Sequence, residues 1–117
     1  MPHVEPLDLT NAPHEAHELL SAIKEKYGQV LNIFGTMAYQ PDVLKGIATV
    51  NDGIHNNLPA TLRELAYFTA SQANGCKYCS HYHSKAAIKA GLTSEQLRAA
   101  TEDYANSDLL SDTEKSV

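Results

Sequence analysis

The chain has 117 residues, 43% hydrophobic and 20% charged, and this composition predicts one globular domain over residues 1–117 rather than a disordered segment. The net charge is −5 and the basic residues are scattered, which argues against binding to nucleic acid. No apolar run approaches the roughly 20 residues of a membrane span and no signal peptide is recognisable, so we expect a cytoplasmic protein without membrane association.

Apolar residues repeat with a helical period along most of the chain, and no alternating strand pattern occurs. The first predicted helix has one apolar stripe, formed by Ala16, Leu19, Leu20, Ile23 and Tyr27. Asn11 is its expected N-cap, Pro13 suits its first turn, and Gly28 suits its end.

Two further helices are predicted before residue 58. The shorter one ends near Pro41 and has a stripe formed by Val30, Ile33, Phe34, Met37 and Ala38. The next one covers residues 42–55 and is expected to bury Val43, Leu44, Ile47 and Ala48. Phe34, Met37 and Tyr39 are interpreted as core residues.

The fourth predicted helix, residues 59–74, has nonpolar side chains on two faces. One face has Leu62, Leu65, Ala66, Thr69, Ala70 and Ala73, and the opposite face has Tyr67, Phe68 and Ser71 beside Glu64. A helix with this pattern is typical of the inside of a bundle or of an interface. Asn74 and Gly75 end it.

The last helices are delimited by local end signals. The cysteine-containing helix ends at Gly91, and Thr93 with Gln96 has the spacing of a capping box before a helix over residues 94–104. A second box, Ser111 with Glu114, lies three residues from the end of the sequence, so we expect the native chain to extend beyond Val117. The pattern as a whole predicts an all-α bundle of about six helices.

The two cysteines of the chain, Cys76 and Cys79, have the spacing of a redox-active pair. In a reducing compartment such a pair is more often redox-active or metal-binding than a static crosslink. Gly75 places both thiols in the first turn of a helix, where free N–H groups and the helix dipole favour a thiolate. A thiolate can attack a peroxide to give a sulfenic acid, which the second thiol converts to a disulfide.

His83 is predicted to share a helix face with both cysteines. At about 100° per residue, Cys79 lies about 60° and His83 about 20° from Cys76, whereas His81 lies about 140° away. His83 can therefore serve as a base for Cys79. Glu64 on the preceding helix is expected to orient the imidazole or to relay its proton.

Two other interpretations of the cysteine segment remain open. Zinc could be held by Cys76, Cys79, His81 and His83. A tetrahedral site needs four converging ligands, and one continuous helix directs His81 away from the others. The pair could also be a structural disulfide or two inert buried thiols.

Residues 64–92 resemble the alkylhydroperoxidase D-like branch of the carboxymuconolactone decarboxylase family. The family pattern is a glutamate twelve residues before a Cys-x-x-Cys-x-x-x-His segment, and Glu64, Cys76, Cys79 and His83 have this spacing. The segments Arg63-Glu64-Leu65, Asn74-Gly75 and Ala90-Gly91-Leu92 extend the match.

The resemblance implies an all-helical fold, assembly into trimers or hexamers, and thiol peroxidase or disulfide-reductase activity. It makes Cys79 the peroxidatic thiol, Cys76 its resolving partner, and His83 and Glu64 members of the proton relay. Tyr78 stands where the best-studied type of this family has another relay histidine. A dihydrolipoyl protein is implied as reductant by analogy, and the decarboxylase branch lacks the cysteine pair.

The sequence therefore predicts a thiol-dependent hydroperoxidase, an antioxidant oxidoreductase that needs no metal or organic cofactor. Its partners would be a hydroperoxide substrate, a dithiol reductant and other copies of the chain, because several short helices leave apolar surface to cover. The alternatives are a redox-sensing or scaffold oligomer with little turnover, and a carboxymuconolactone decarboxylase-like enzyme.

Overall fold

Residues 3–117 are described by a computed structural model, and within this range the chain forms seven α-helices and no strand. The helices are α1 (His14–Tyr27), α2 (Asn32–Met37), α3 (Pro41–Asn57), α4 (Ala60–Ala73), α5 (Lys77–Ala90), α6 (Ser94–Glu102) and α7 (Asp112–Lys115). The all-α prediction is confirmed, and α7 adds one short helix to the six expected. None of the helices described has the length and apolar character that a membrane crossing requires.

The described residues fall into two compact units, which divide between Gly53 and Ile54 inside α3. The first unit contains α1, α2 and most of α3, and the second contains the end of α3 and α4 to α7. All four predicted site residues belong to the second unit. One domain over residues 1–117 stays a prediction.

The core of the first unit is built on the predicted stripe of α1. Leu20 and Leu44 are completely buried there, together with a small set of neighbours: Ala16, Ile23 and Ala38. Gly28 ends α1 with a φ of 78°, a left-handed conformation that glycine adopts without steric cost. The predicted end of this helix is therefore confirmed.

The predicted N-cap of α1 is wrong. The helix begins at His14, and Pro13 stands at the N-cap position without a side-chain hydrogen bond. Asn11 instead accepts a hydrogen bond from the backbone N–H of Asp8 at 2.8 Å, so its side chain closes the turn that precedes the helix. Asparagine stabilises turns and N-caps by the same kind of hydrogen bond to the backbone, so a turn position and an N-cap position are hard to distinguish from the sequence alone.

The predicted burial of α3 is only partly correct. Leu44 is completely buried and Ala48 is partly buried, whereas Val43 and Ile47 are exposed. These two residues recur with Val50 at intervals of four and three positions, so they form an exposed apolar stripe on one face of the helix. The helix thus has more apolar surface than its own unit covers.

The interpretation of Tyr39 as a core residue is also wrong. Phe34 and Met37 pack against the core of the first unit as expected, but Tyr39 is exposed. Its hydroxyl donates a hydrogen bond to the backbone carbonyl of Glu5 at 3.1 Å. A tyrosine can pack its ring on the surface while its polar end finds such a partner.

The second unit is held together by α4, α5 and α6. Its core consists of Leu65, Phe68, Ala87, Leu92 and Leu97, and Ala100 packs against it. Leu65 and Phe68 come from α4, the helix that carries Glu64. Burial of these two side chains fixes α4 against α5, and the two helices together carry the candidate site.

Local end signals place the last helices correctly. Gly91 ends α5 with a φ of 116°, and Thr93 with Gln96 forms the predicted capping box at the start of α6. Ser111 and Glu114 form the second box and begin α7. The predicted end of α6 at residue 104 is two residues too late, since Asp103 has left the helical conformation.

Candidate functional site

A tight turn between α4 and α5 positions the two cysteines. The N–H of Gly75 donates to the carbonyl of Gln72 at 3.0 Å, and the N–H of Cys76 donates to the carbonyl of Ser71 at 2.9 Å. This pair of bonds is the Schellman arrangement that closes many helices, and it requires the left-handed φ of 65° found at Gly75. The same turn makes Cys76 the N-cap of the next helix.

Cys76 and Cys79 are joined by a disulfide at the N-terminus of α5, with their Cα atoms 5.3 Å apart. The Cys76 sulfur also accepts a hydrogen bond from the backbone N–H of Cys79 at 3.2 Å. Both residues are partly buried. The two sulfur atoms therefore lie at the start of α5, as predicted, where N–H groups can stabilise negative charge on sulfur.

Glu64 and His83 meet across the hairpin formed by α4 and α5. Nδ1 of His83 lies 2.9 Å from Oε2 of Glu64, although the residues are 19 positions apart. Both are close to ten residues from the turn, so an antiparallel helical hairpin brings them together. Glu64 is buried.

Arg63 is the second partner of the Glu64 carboxylate. Nε of Arg63 lies 3.0 Å from Oε1 of Glu64, and the two side chains are only 12% and 7% exposed. Burial raises the pKa of Glu64, but hydrogen bonds from His83 and Arg63 outweigh it and hold the pKa below its ordinary value of 4.5. Glu64 is therefore an anion at neutral pH.

The imidazole of His83 is held on a second side by Tyr67. The two ring centroids are 4.7 Å apart with an interplanar angle of 32°. Because an ionised carboxylate can only accept, the proton between Glu64 and His83 lies on Nδ1. Nε2 of the neutral imidazole is then the nitrogen that is free to take a proton.

Tyr78, His81 and Tyr82 of the cysteine segment are exposed. The rings of Tyr78 and Tyr82 pack together with centroids 4.8 Å apart, and burial together with Tyr82 raises the pKa of Tyr78. His81 is exposed and contacts the edge of the Tyr82 ring. It also lines an open groove between α4 and α5 with Lys77 and Ser80.

The part of the chain that the structure describes contains no set of side chains suited to binding a metal ion. Among residues 3–117, no three histidine, cysteine, aspartate or glutamate side chains are grouped so that they could hold an ion. His83 bonds to Glu64 and His81 packs against Tyr82. The four converging ligands of the zinc alternative are thus not formed by these residues.

Two members of the site were missed by the sequence interpretation. Arg63 was noted only as part of the family match, because neighbouring residues on a helix do not normally face each other. Tyr67 lies on the same face as Glu64, three positions later, and this spacing was the available signal for it. Its contact with an imidazole depends on how closely α5 approaches α4.

Comparison with known proteins gives one match. The sequence model of the carboxymuconolactone decarboxylase family matches residues 41–106, more than half of the chain. The matched segment contains Glu64, Cys76, Cys79 and His83, and it confirms the resemblance inferred from their spacing. No curated protein and no solved structure matches the chain.

Proposed function

Because the chain belongs to the carboxymuconolactone decarboxylase family, we propose that it is a thiol-dependent hydroperoxidase of the alkylhydroperoxidase D-like branch. The observation that carries this proposal is the Cys76–Cys79 disulfide, which lies one helical turn before a histidine bonded to a buried carboxylate. Such a constellation supplies a nucleophile, a second thiol and an oriented base.

The proposed cycle converts a hydroperoxide and a dithiol into an alcohol, water and a disulfide. The thiolate of Cys79 attacks the terminal oxygen of the hydroperoxide, the O–O bond breaks, and the alkoxide leaves as the alcohol after gaining a proton. Cys79 is then a sulfenic acid. The thiol of Cys76 displaces its oxygen as water and forms the disulfide seen here.

Return to the dithiol requires two electrons from an external dithiol. Its first thiolate attacks one sulfur of the disulfide to give a mixed disulfide, and its second thiol closes the reductant's own disulfide and releases the second cysteine. A lipoyl protein in its dihydro form is the proposed donor, by analogy with the family. Partial exposure of both cysteines is compatible with such an approach.

His83 is the proposed base for Cys79. The residue lies one turn after Cys79 on α5, and its Nε2 is the nitrogen not engaged by Glu64. It would take the thiol proton before attack and return a proton to the leaving oxygen. General acid–base catalysis of this kind contributes about 10²–10⁴-fold to a rate.

The proposal is tested by peroxide consumption in the steady state. Wild type, Cys76→Ser and Cys79→Ser are assayed with tert-butyl hydroperoxide, using dithiothreitol as dithiol and glutathione as monothiol reductant. We expect turnover by wild type with the dithiol and none by Cys79→Ser. Wild-type rates in the Cys79→Ser variant would show that this residue is not the peroxidatic thiol.

The exposed stripe of α3 supports a second proposal, that copies of the chain associate. Val43, Ile47 and Val50 are each at least 40% exposed on one helix face. Monomeric proteins usually keep such residues covered or scattered. We propose that the stripe lies in a contact between copies, in the trimer or hexamer that the family resemblance implies.

The same stripe would serve a function of a different class, in which the disulfide controls assembly of the copies and peroxide turnover is small. Sedimentation velocity of the oxidised and the dithiothreitol-reduced protein distinguishes the hydroperoxidase function from the redox-sensing function. The hydroperoxidase is expected to keep one oligomer size in both states. A size change combined with negligible peroxide consumption would favour the redox-sensing function.

A further inference from the structure

The Glu64 carboxylate divides its two oxygens between an arginine and a histidine. Oε1 accepts from Nε of Arg63 at 3.0 Å, and Oε2 lies 2.9 Å from Nδ1 of His83. We propose that Arg63 is a positioning residue, which fixes Glu64 as a permanent anion that orients His83 and takes no part in carrying the proton. The expected effect of Arg63 on the rate of peroxide turnover rests on the proposed hydroperoxidase function, whereas its effect on the charge of Glu64 does not.

The Arg63 contact is specific rather than a consequence of sequence adjacency. Neighbouring residues on a helix point about 100° apart, so their side chains do not normally meet. Nε of Arg63 nevertheless lies 3.0 Å from Oε1 of Glu64, and only 12% of the Arg63 side chain is exposed. A cation that is buried to this extent needs a charged partner, and Glu64 supplies it.

A guanidinium beside the carboxylate decides which role Glu64 can have. Arginine stays protonated at every physiological pH, so its charge always favours the ionised form of Glu64. Burial acts in the opposite direction, but the bonds from His83 and Arg63 prevail and keep the pKa of Glu64 below its ordinary value. Accepting a proton would break a charge-assisted contact, so Glu64 orients the imidazole rather than relaying its proton.

The consequence for His83 is a defined proton position. A fixed anion at Oε2 holds the hydrogen on Nδ1 and leaves the Nε2 lone pair as the base. Among the described residues, the ionisable groups with a contact to this pair are Arg63 and Tyr67 from α4, and the Tyr67 ring is tilted by 32° against the imidazole. Asp or Glu plays the same orienting part in Ser-His-Asp sites, where it does not become protonated.

The direct test is titration of the Glu64 side-chain carboxyl by ¹³C NMR in the disulfide form, without any peroxide. Wild type is compared with Arg63→Gln and with Arg98→Gln, whose Nε lies 4.0 Å from Glu102 in an ion pair with both side chains 69% exposed. We expect the midpoint of Glu64 to move upward in Arg63→Gln and to stay in place in Arg98→Gln. An unchanged midpoint in Arg63→Gln overturns the inference.

If Arg63→Gln does not fold, the titration of Glu64 in the wild-type protein still tests the inference. The inference requires the wild-type carboxyl of Glu64 to titrate below 4.5, its ordinary value. Titration at or above that value overturns it. Neither measurement depends on catalysis, so each stands even if wild type consumes no peroxide and the proposed function fails.

A double-mutant cycle tests the effect on turnover. Arg63→Gln is expected to lower kcat about tenfold in the wild-type background and less than about twofold in Glu64→Gln, because Arg63 acts through Glu64. Arg98→Gln should leave kcat unchanged in both backgrounds. Equal losses in the two backgrounds would mean that Arg63 does not act through Glu64, and would overturn the positioning role.

Discussion

His83 donates the proton of Nδ1 to Oε2 of Glu64 across the α4–α5 hairpin, at a distance of 2.9 Å. The contact joins a buried carboxylate to the one histidine of the cysteine segment that shares a helix face with the thiols. A charged hydrogen bond of this kind fixes both ring orientation and proton position. The following predictions test this arrangement and the fold that supports it.

The two cysteines are expected to differ in their reaction with peroxide. In Cys76→Ser the sulfenic acid formed on Cys79 has no resolving thiol, so dimedone should trap it as a covalent adduct visible by mass spectrometry. In Cys79→Ser no adduct should form on Cys76. An adduct that forms in Cys79→Ser but not in Cys76→Ser would show that Cys76 is the peroxidatic thiol and Cys79 the resolving one.

Loss of the Glu64 carboxylate is expected to reduce stability in a pH-dependent way. The folded-state pKa of Glu64 is lowered, so its stabilising contribution is complete above 4.5 and is lost as the pH falls through the folded pKa. We expect wild type to exceed Glu64→Gln by about 2 kcal/mol in free energy of unfolding near neutral pH. The difference should shrink as the solution is acidified, measured by urea unfolding.

The control for this series is Glu102→Gln on α6. Glu102 is paired with Arg98 at 4.0 Å, and both side chains are 69% exposed. Its replacement should change the free energy of unfolding by less than about 0.5 kcal/mol at neutral pH. A Glu64→Gln difference that is equally small at every pH would contradict the buried ion pair.

The Tyr67 ring is expected to matter more than its hydroxyl. Its contact with His83 is between the two rings, and such ring pairs contribute about 0.5–1.5 kcal/mol beyond the free energy of burying their area. Tyr67→Ala should therefore lower kcat up to about tenfold, and Tyr67→Phe should retain most of it. Tyr104→Ala, at an exposed position, is the matched control. Equal losses in Tyr67→Ala and Tyr67→Phe would assign a role to the hydroxyl instead.

Charges on the α3 stripe are expected to dissociate the proposed oligomer. An aspartate at Ile47 would have to be buried unpaired in a contact between copies, which costs several kcal/mol. Ile47→Asp should thus lower the molar mass measured by light scattering to that of a smaller species. Ile33→Asp places the same charge at an exposed position of α2 and should not change the mass. An unchanged mass in Ile47→Asp would remove the stripe from the interface.

Replacement of two glycines by alanine is expected to have opposite effects on stability. Gly75 has a φ of 65°, so Gly75→Ala should cost about 1–2 kcal/mol through backbone strain, even though no atom beyond its two chain neighbours lies within 4 Å of the added Cβ. Gly46 lies inside α3 with equal space around it, and Gly46→Ala should stabilise the protein by about 0.5–1 kcal/mol. Thermal unfolding gives both values, and a neutral Gly75→Ala would show that the turn tolerates other backbone conformations.

Local chemistry explains the elements that were predicted correctly. Gly91 and the capping box of Thr93 and Gln96 act through bonds to nearby backbone groups, so their effect can be predicted from a few consecutive residues. Burial depends on which helix packs against which. The sequence predicts burial of Val43, Leu44 and Ile47, yet of these three only Leu44 belongs to the core of the first unit.

In the candidate site, too, some contacts could be predicted from the sequence and others depend on how the helices pack. Glu64 and His83 could be paired in advance because a hairpin with a short turn places them opposite each other. Arg63 could not be assigned, since its contact with Glu64 depends on the rotamer of a long side chain, which the surrounding packing selects. The contact between Tyr67 and His83 could not be predicted either, because it depends on the distance between α4 and α5, and the spacing of residues along one helix does not give that distance.

The hairpin turn at Gly75 also bears on the order in which the protein folds. Arg63, Glu64, His83 and both cysteines all lie between positions 63 and 83, so their contacts close only short loops. Contacts of low sequence separation form quickly, and a domain can begin to fold while the ribosome is still adding residues. We expect the ion pair and the thiols to come together before α6 has left the ribosome, so the chemistry is assembled ahead of the helix that completes its core.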